Sequence, residues 1–114
     1  MKTTANEKMT QSETILHTMC GVYAIASDSA TFAESIGTPI AEYREKMCKN
    51  YKEARAYRNR VSEDDNATLL AYTMACAKVN AWMDVLNQIR RAKTFEDCRR
   101  RCAWLIDRLV VDPA

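Results

Sequence analysis

The chain has 114 residues, which is enough for one hydrophobic core but too few for two. Hydrophobic residues make up 47% and charged residues 28%, with only two glycines and two prolines, a composition typical of a helical protein and not of a disordered or all-β one. The net charge of +2 is too small to imply a class of partner, and the odd count of five cysteines argues against a disulfide framework.

The N-terminal sequence MKTTANEKM contains neither the apolar segment nor the cleavage site of a signal peptide. We therefore expect a cytoplasmic protein with reduced, mostly buried thiols. Its predicted organisation is a flexible lead over residues 1–10, a single helical domain over 11–111 and a short tail over 112–114.

Capping signals mark the predicted helix starts. The segments 10–13 and 31–34 both fit the capping box, in which a threonine hydroxyl and a glutamate satisfy backbone amides of the first turn. Thr38 precedes a proline, the order expected of an N-cap followed by the first helical residue. Thr94 begins a weaker box, and the acidic run at 62–65 suits a helix N-terminus.

Together with hydrophobic periodicity, these signals predict an all-α fold. Short connections favour antiparallel neighbours, so we expect an antiparallel bundle of four main helices plus a short helical turn. The predicted helices span about 11–28, 39–61, 65–91 and 95–111, with the single turn near 32–36.

The third predicted helix carries apolar residues on two sides, although one side suffices to cover a core. Lys78, Asn80 and Asp84 in its middle make a membrane span too costly. The second apolar side either meets another copy of the chain, giving a homo-oligomer, or is wrapped by the chain's own helices, and the sequence favours the first arrangement. The predicted oligomer interface consists of Leu69, Tyr72, Cys76, Val79, Met83 and Leu86.

The last predicted helix places a tryptophan on its polar side. Trp104 has Arg100 and Arg101 about one turn before it and Arg108 one turn after it. Tryptophan and arginine are enriched in interface hot spots, and a guanidinium over an indole ring is a favourable arrangement. The sequence leaves two interpretations open: a partner-binding site, or local packing of Trp104 under the N-terminal lead or a loop.

The second predicted helix interleaves basic and aromatic residues, a pattern that could track phosphates and stack on bases. An ordinary amphipathic helix, with tyrosines at the core edge and arginine stems lying over it, gives the same pattern and is favoured because three glutamates dilute the charge. The candidate phosphate or nucleic-acid contacts are Arg44, Tyr51, Arg55, Tyr57 and Arg58.

No motif in the sequence specifies a reaction. His17 is expected to face solvent, away from Cys20, and Cys98 and Cys102 are spaced to pack in a bundle seam rather than to bind metal. Neither Glu-x-x-His nor His-Glu-x-x-His occurs. We therefore expect no catalytic residue, no metal and no cofactor.

The function favoured by the sequence is that of a non-catalytic protein-binding module, an adaptor or inhibitor that occupies a partner's surface. From its size and type alone, we expect such a module to be encoded by a phage or other mobile element. The alternative is an oligomer that binds nucleic acid or a small phosphorylated nucleotide through its arginine and tyrosine side chains, and this alternative predicts binding that weakens steeply with salt.

Overall fold

The computed structural model describes residues 10–111, which contain four α helices and no β strand. The all-α prediction is thus confirmed. Of the predicted lead over 1–10, only Thr10 is among the described residues, and the tail over 112–114 lies outside them. The helices are α1 (Gln11–Ser35), α2 (Ile40–Ser62), α3 (Leu69–Ile89) and α4 (Phe95–Val111).

The separate helical turn predicted near 32–36 is wrong, because α1 is one continuous helix of 25 residues. No glycine or proline interrupts residues 28–32, so the helix propagates through them. Thr31 does not cap a new helix; its hydroxyl donates to the carbonyl of Ser27, 3.3 Å away, inside α1. The helix ends just before Gly37, whose φ of 78° is a left-handed conformation that favours glycine.

Two of the predicted helix starts form as expected. The hydroxyl of Thr10 accepts a hydrogen bond from the Glu13 amide at 3.1 Å, and the Glu13 carboxylate accepts one from the Thr10 amide at 2.9 Å. At α4, the hydroxyl of Thr94 accepts from the Asp97 amide at 3.0 Å. These bonds satisfy amides that a helix leaves unpaired in its first turn.

The other two starts differ from prediction. Pro39, not Thr38, is the residue before α2, and no side chain caps that helix. Helix α3 begins later than predicted, at Leu69, because Thr68 provides the cap by accepting from the Ala71 amide at 3.0 Å. The acidic residues before it lie in the connection, where the Asp64 carboxylate accepts a bond from the Asn66 amide at 2.9 Å.

Consecutive helices run in opposite directions. Helices α1 and α3 are parallel to each other, because Gln11 bonds to Thr73 and, further along both helices, Tyr23 bonds to Asp84. Helix α2 packs chiefly against α3 and α4 chiefly against α1, so α1 and α3 form the centre of the bundle. The predicted bundle of four packed helices is therefore confirmed, with consecutive helices antiparallel and the central pair, α1 and α3, parallel.

The core is concentrated near the C-terminal halves of α1 and α3. There the Tyr43 hydroxyl donates to the carbonyl of Ala26 at 2.7 Å, and the Tyr43 ring meets the edge of Phe95 with 5.6 Å between centroids. The largest fully buried side chains are Tyr23, Tyr43, Met47, Val85, Ile89, Cys98 and Cys102.

Across residues 10–111, none of the helices combines the length and the apolar character needed to cross a bilayer.

Candidate functional site

Trp104 lies on the outer side of α4 and is 47% exposed within the described part of the chain. The inner side of the helix is fixed in the core by Cys98, Cys102 and Leu105. The guanidinium carbon of Arg108 lies 4.9 Å from the centre of the Trp104 ring system, which is cation–π distance. Among the described residues, the structure thus shows a half-exposed indole ring with the Arg108 guanidinium beside it, and the alternative of cover by the N-terminal lead lies outside these residues.

The two other arginines of this patch share one carboxylate. Arg100 donates to one oxygen of Asp97, and Arg101 donates to the other at 3.0 Å. Arg101 also donates to the side-chain oxygen of Gln88 on α3 at 3.1 Å. The hydrogen bond from Arg101, together with the charges of both arginines, lowers the pKa of Asp97 and keeps it ionised.

These groups surround an open depression of about 370 Å³ beside Trp104. Its lining residues, Gln88, Asp97, Arg100 and Arg101, are already linked by hydrogen bonds. The structure therefore brings the four predicted partner-binding residues, Arg100, Arg101, Trp104 and Arg108, to one face of α4. It adds Asp97 and Gln88, which orient the arginines and which sequence reasoning missed.

The predicted oligomer interface on α3 is only partly exposed. Val79 is only 2% exposed, so it is covered by the chain itself, and Leu86 packs against the core. Cys76 is half-buried. Leu69 is 75% exposed, and Tyr72 and Met83 are also exposed. Only these three side chains of the predicted row offer a large surface to another copy.

The predicted phosphate contacts on α2 each have a contact within the chain. Arg44 donates through Nε to the carbonyl of Ile89 at 3.2 Å and through Nη2 to that of Ala92, so it stabilises the end of α3. Arg55 lies 5.6 Å from the Tyr51 ring centre, whereas Tyr57 pairs with Arg60 at the same distance. Arg58 donates to the Asn59 side chain at 3.3 Å.

Helices α2 and α3 border an open groove of about 600 Å³. It combines residues from two predicted sets, since Arg44 and Tyr51 come from the phosphate surface and Met83 and Leu86 from the oligomer row. Cys48 and Arg90 also line it. Sequence reasoning missed Arg90, although it falls within the helix predicted over 65–91, because helical phase does not predict which neighbouring helix a side chain meets.

A further apolar stripe runs along α1 and was also missed. Ile25, Phe32 and Ile36 are spaced seven and four residues apart, which places them on one line of the helix. Phe32 and Ile36 are 60% and 61% exposed. This spacing is visible in the sequence, but the first helix was predicted to end at residue 28, so Phe32 was not assigned to any side of it.

The burial of the cysteines determines how reactive their thiols are. All five thiols are free, and Cys98 and Cys102 are fully buried, as packing in a bundle seam requires. Burial raises the pKa of Cys102 to about 12 and also raises the pKa of Cys98, so both thiols stay protonated and unreactive at neutral pH. Within residues 10–111, no three His, Cys, Asp or Glu side chains cluster closely enough to hold a metal ion.

Comparison with known proteins found no matching family model, no matching curated protein and no matching solved structure. The functional assignment therefore rests on the residues of this chain.

Proposed function

We propose that the chain is a non-catalytic protein-binding module, an adaptor or inhibitor, that contacts its partner through the Trp104 surface. This surface consists of Arg100, Arg101, Trp104 and Arg108 on α4. The observation that carries the proposal is the exposure of 47% of a tryptophan on the polar side of a helix that is firmly held on its other side. Large aromatic and arginine side chains supply most of the binding energy in known interfaces.

The surface is also preorganised, which lowers the entropy cost of binding. Asp97 and Gln88 hold Arg101, and Arg108 lies over the Trp104 ring. Helix α4 itself is tied to α1 by an ion pair between Arg99 and Glu34 at 2.7 Å. A partner could therefore bind the indole ring with little rearrangement of this chain.

The direct test compares Trp104→Ala with Tyr57→Ala in capture from a native lysate. Tyr57 is a matched control, because it is also 47% exposed on a helix and has an arginine, Arg60, beside its ring. We expect Trp104→Ala to reduce capture at least about tenfold and Tyr57→Ala to leave it unchanged. Circular dichroism should show that both variants remain folded.

Equal capture by wild type and Trp104→Ala would contradict the proposal. A nuclease-treated sample separates it from the nucleic-acid alternative. Capture that disappears with nuclease, and that weakens steeply with added salt, would assign the binding to nucleic acid instead.

Self-association is a second part of the proposal. Its support is the exposure of Leu69, Tyr72 and Met83 along α3, since large apolar side chains in a row are typical of subunit contacts. Light scattering over a range of concentrations should give a mass above that of one chain, and Leu69→Glu should lower it. A strict monomer at the highest concentration would contradict this part.

A reducing compartment such as the cytoplasm fits the thiols. All five cysteines are free, and the three that are not fully buried, Cys20, Cys48 and Cys76, would be open to oxidation elsewhere.

A further inference from the structure

The groove between α2 and α3 has the composition of a small-molecule site. Its apolar side is formed by Met83 and Leu86 of α3, and the Tyr51 ring faces them from α2. A volume of about 600 Å³ lies within the range that small-molecule sites occupy in proteins, and such sites combine an apolar wall with a few polar groups. The groove lies on the α2 side of the bundle, whereas the Trp104 surface belongs to α4.

The polar groups of the groove are positively charged. Arg44 and Arg90 both line it near the end of α3, and no carboxylate is among the lining residues. In the part of the chain that the structure describes, neither arginine forms an ion pair, unlike Arg99, Arg100 and Arg101. The groove therefore offers cationic groups that no acidic side chain neutralises.

Both guanidinium groups retain hydrogen-bond donors for a ligand. Arg44 uses Nε and Nη2 on the carbonyls of Ile89 and Ala92, which leaves its Nη1 group. Arg90 donates through Nη2 to the Asn87 side chain at 2.6 Å and keeps its other N–H groups. Each of these remaining N–H groups can donate a charge-assisted hydrogen bond to one carboxylate oxygen.

The charge of the expected ligand follows from the same contacts. The C-terminal carbonyls of α3 carry the negative end of the helix dipole and offset part of the positive charge of Arg44. A single negative charge suits this modest field better than a polyphosphate.

We propose that this groove binds a small amphiphilic carboxylate, of which a medium-chain fatty acid is the representative. The carboxylate lies between Arg44 and Arg90, and the hydrocarbon chain lies along Met83 and Leu86. This site is independent of the Trp104 surface, so either assignment can fail without the other. Because Met83 also belongs to the proposed self-association surface, the ligand is titrated at a concentration where the chain is monomeric.

Cys48 provides a reporter inside the groove. It lines the groove and is half-buried, so a bound ligand would shield its thiol from alkylation. Cys76 is a half-buried thiol on α3 outside the lining, and Cys98 and Cys102 are fully buried. Peptide mapping by mass spectrometry reads all four positions from the same sample.

The experiment titrates the full chain with octanoate, below its critical micelle concentration, and with 1-octanol as the uncharged analogue. We expect octanoate to slow alkylation of Cys48 at least about fivefold and to leave Cys76 unchanged, whereas Cys98 and Cys102, which react only on unfolding, report the overall stabilisation of the chain by the ligand. Octanol should bind about tenfold more weakly, because it lacks the charge that the arginines contact.

Arg90→Gln should weaken octanoate binding about tenfold, whereas Arg91→Gln, the neighbouring arginine outside the groove, should bind like wild type. Arg90 is chosen because Arg44 also stabilises the end of α3 and its loss could unfold the chain. Equal protection by octanol and octanoate, equal weakening by Arg90→Gln and Arg91→Gln, or an alkylation rate of Cys48 that saturating octanoate does not change would each overturn the proposal. Tighter protection by adenosine triphosphate than by octanoate would also overturn it.

Discussion

The two ends of the bundle differ in packing although both are rich in apolar residues. Where α1 and α3 end, Tyr43, Met47 and Ile89 are almost completely buried. At the opposite end, where α2 ends and α3 begins, Tyr57 and Leu69 remain exposed. Apolar content alone thus does not produce a core, because burial depends on how many helices reach each end.

The lengths of the helices account for this difference. Helix α4 has 17 residues and α1 has 25, so at about 1.5 Å per residue α4 is roughly 12 Å shorter than its main partner. It starts beside the end of α1, where Arg99 pairs with Glu34, and stops before reaching the start of α1. The well-packed end thus has four helices, whereas the open end lacks α4.

The largest expected contrast between buried and half-buried sites is in thiol reactivity. Cys98 and Cys102 are fully buried in the well-packed region, so a reagent reaches them only when the chain unfolds. At pH 8 we expect them to react with an alkylating reagent at least about a thousandfold more slowly than Cys48, given typical unfolding free energies. Comparable rates, measured by mass spectrometry of quenched samples, would show that this end opens readily.

A cavity at the well-packed end should strongly reduce stability. Met47 is fully buried, so Met47→Ala removes buried methylene and thioether contacts and leaves a void. We expect the free energy of unfolding to fall by about 2–5 kcal/mol, measured by urea denaturation with circular dichroism. A loss below about 1 kcal/mol would mean that this region is not a packed core.

The start of α3 should be moderately sensitive. The Thr68 hydroxyl accepts a hydrogen bond from the Ala71 amide at 3.0 Å and is the side-chain cap of this helix among the described residues. Thr68→Ala should therefore lower the free energy of unfolding by about 1 kcal/mol. Thr68→Ser retains the hydroxyl and serves as the control, so an equal loss in both variants would count against the cap.

The smallest effect on stability is expected at Leu69, the residue after Thr68. Leu69 is 75% exposed, so Leu69→Ala removes few contacts within the chain. At a concentration where the chain is monomeric, the free energy of unfolding should change by less than about 0.5 kcal/mol. A loss approaching that of Met47→Ala would mean that the open end is packed after all.

Local sequence patterns predicted the four helices and two of their N-caps. Thr10 with Glu13, and Thr94 before α4, form the bonds expected of their spacing, because a capping interaction involves only neighbouring residues. The helix start predicted at Thr31 does not occur, which shows that a capping pattern alone does not determine where a helix begins. A capping box forms only where the chain leaves the helix, and no residue near Thr31 makes it do so.

Tertiary contacts were harder to predict than helices. Helical phase placed Leu69 and Val79 on the same side of α3, yet one is exposed and the other is covered by the chain. Which part of a side is covered depends on where α2 crosses it, and periodicity carries no information on that crossing. For the same reason, the groove between α2 and α3, which includes Arg90, was not predicted. The four residues of the Trp104 surface were predicted to lie together because they belong to one helix.

Photo-crosslinking tests the central claim, that Trp104 marks the partner-binding surface, most directly. A photoreactive amino acid is placed at Ala103, which is exposed beside Trp104, and in a second sample at Ala56, which is exposed beside Tyr57. Irradiation in native lysate should link a discrete protein to the chain from position 103 and not from position 56. Crosslinks from position 56 alone, or from neither position, would contradict the claim.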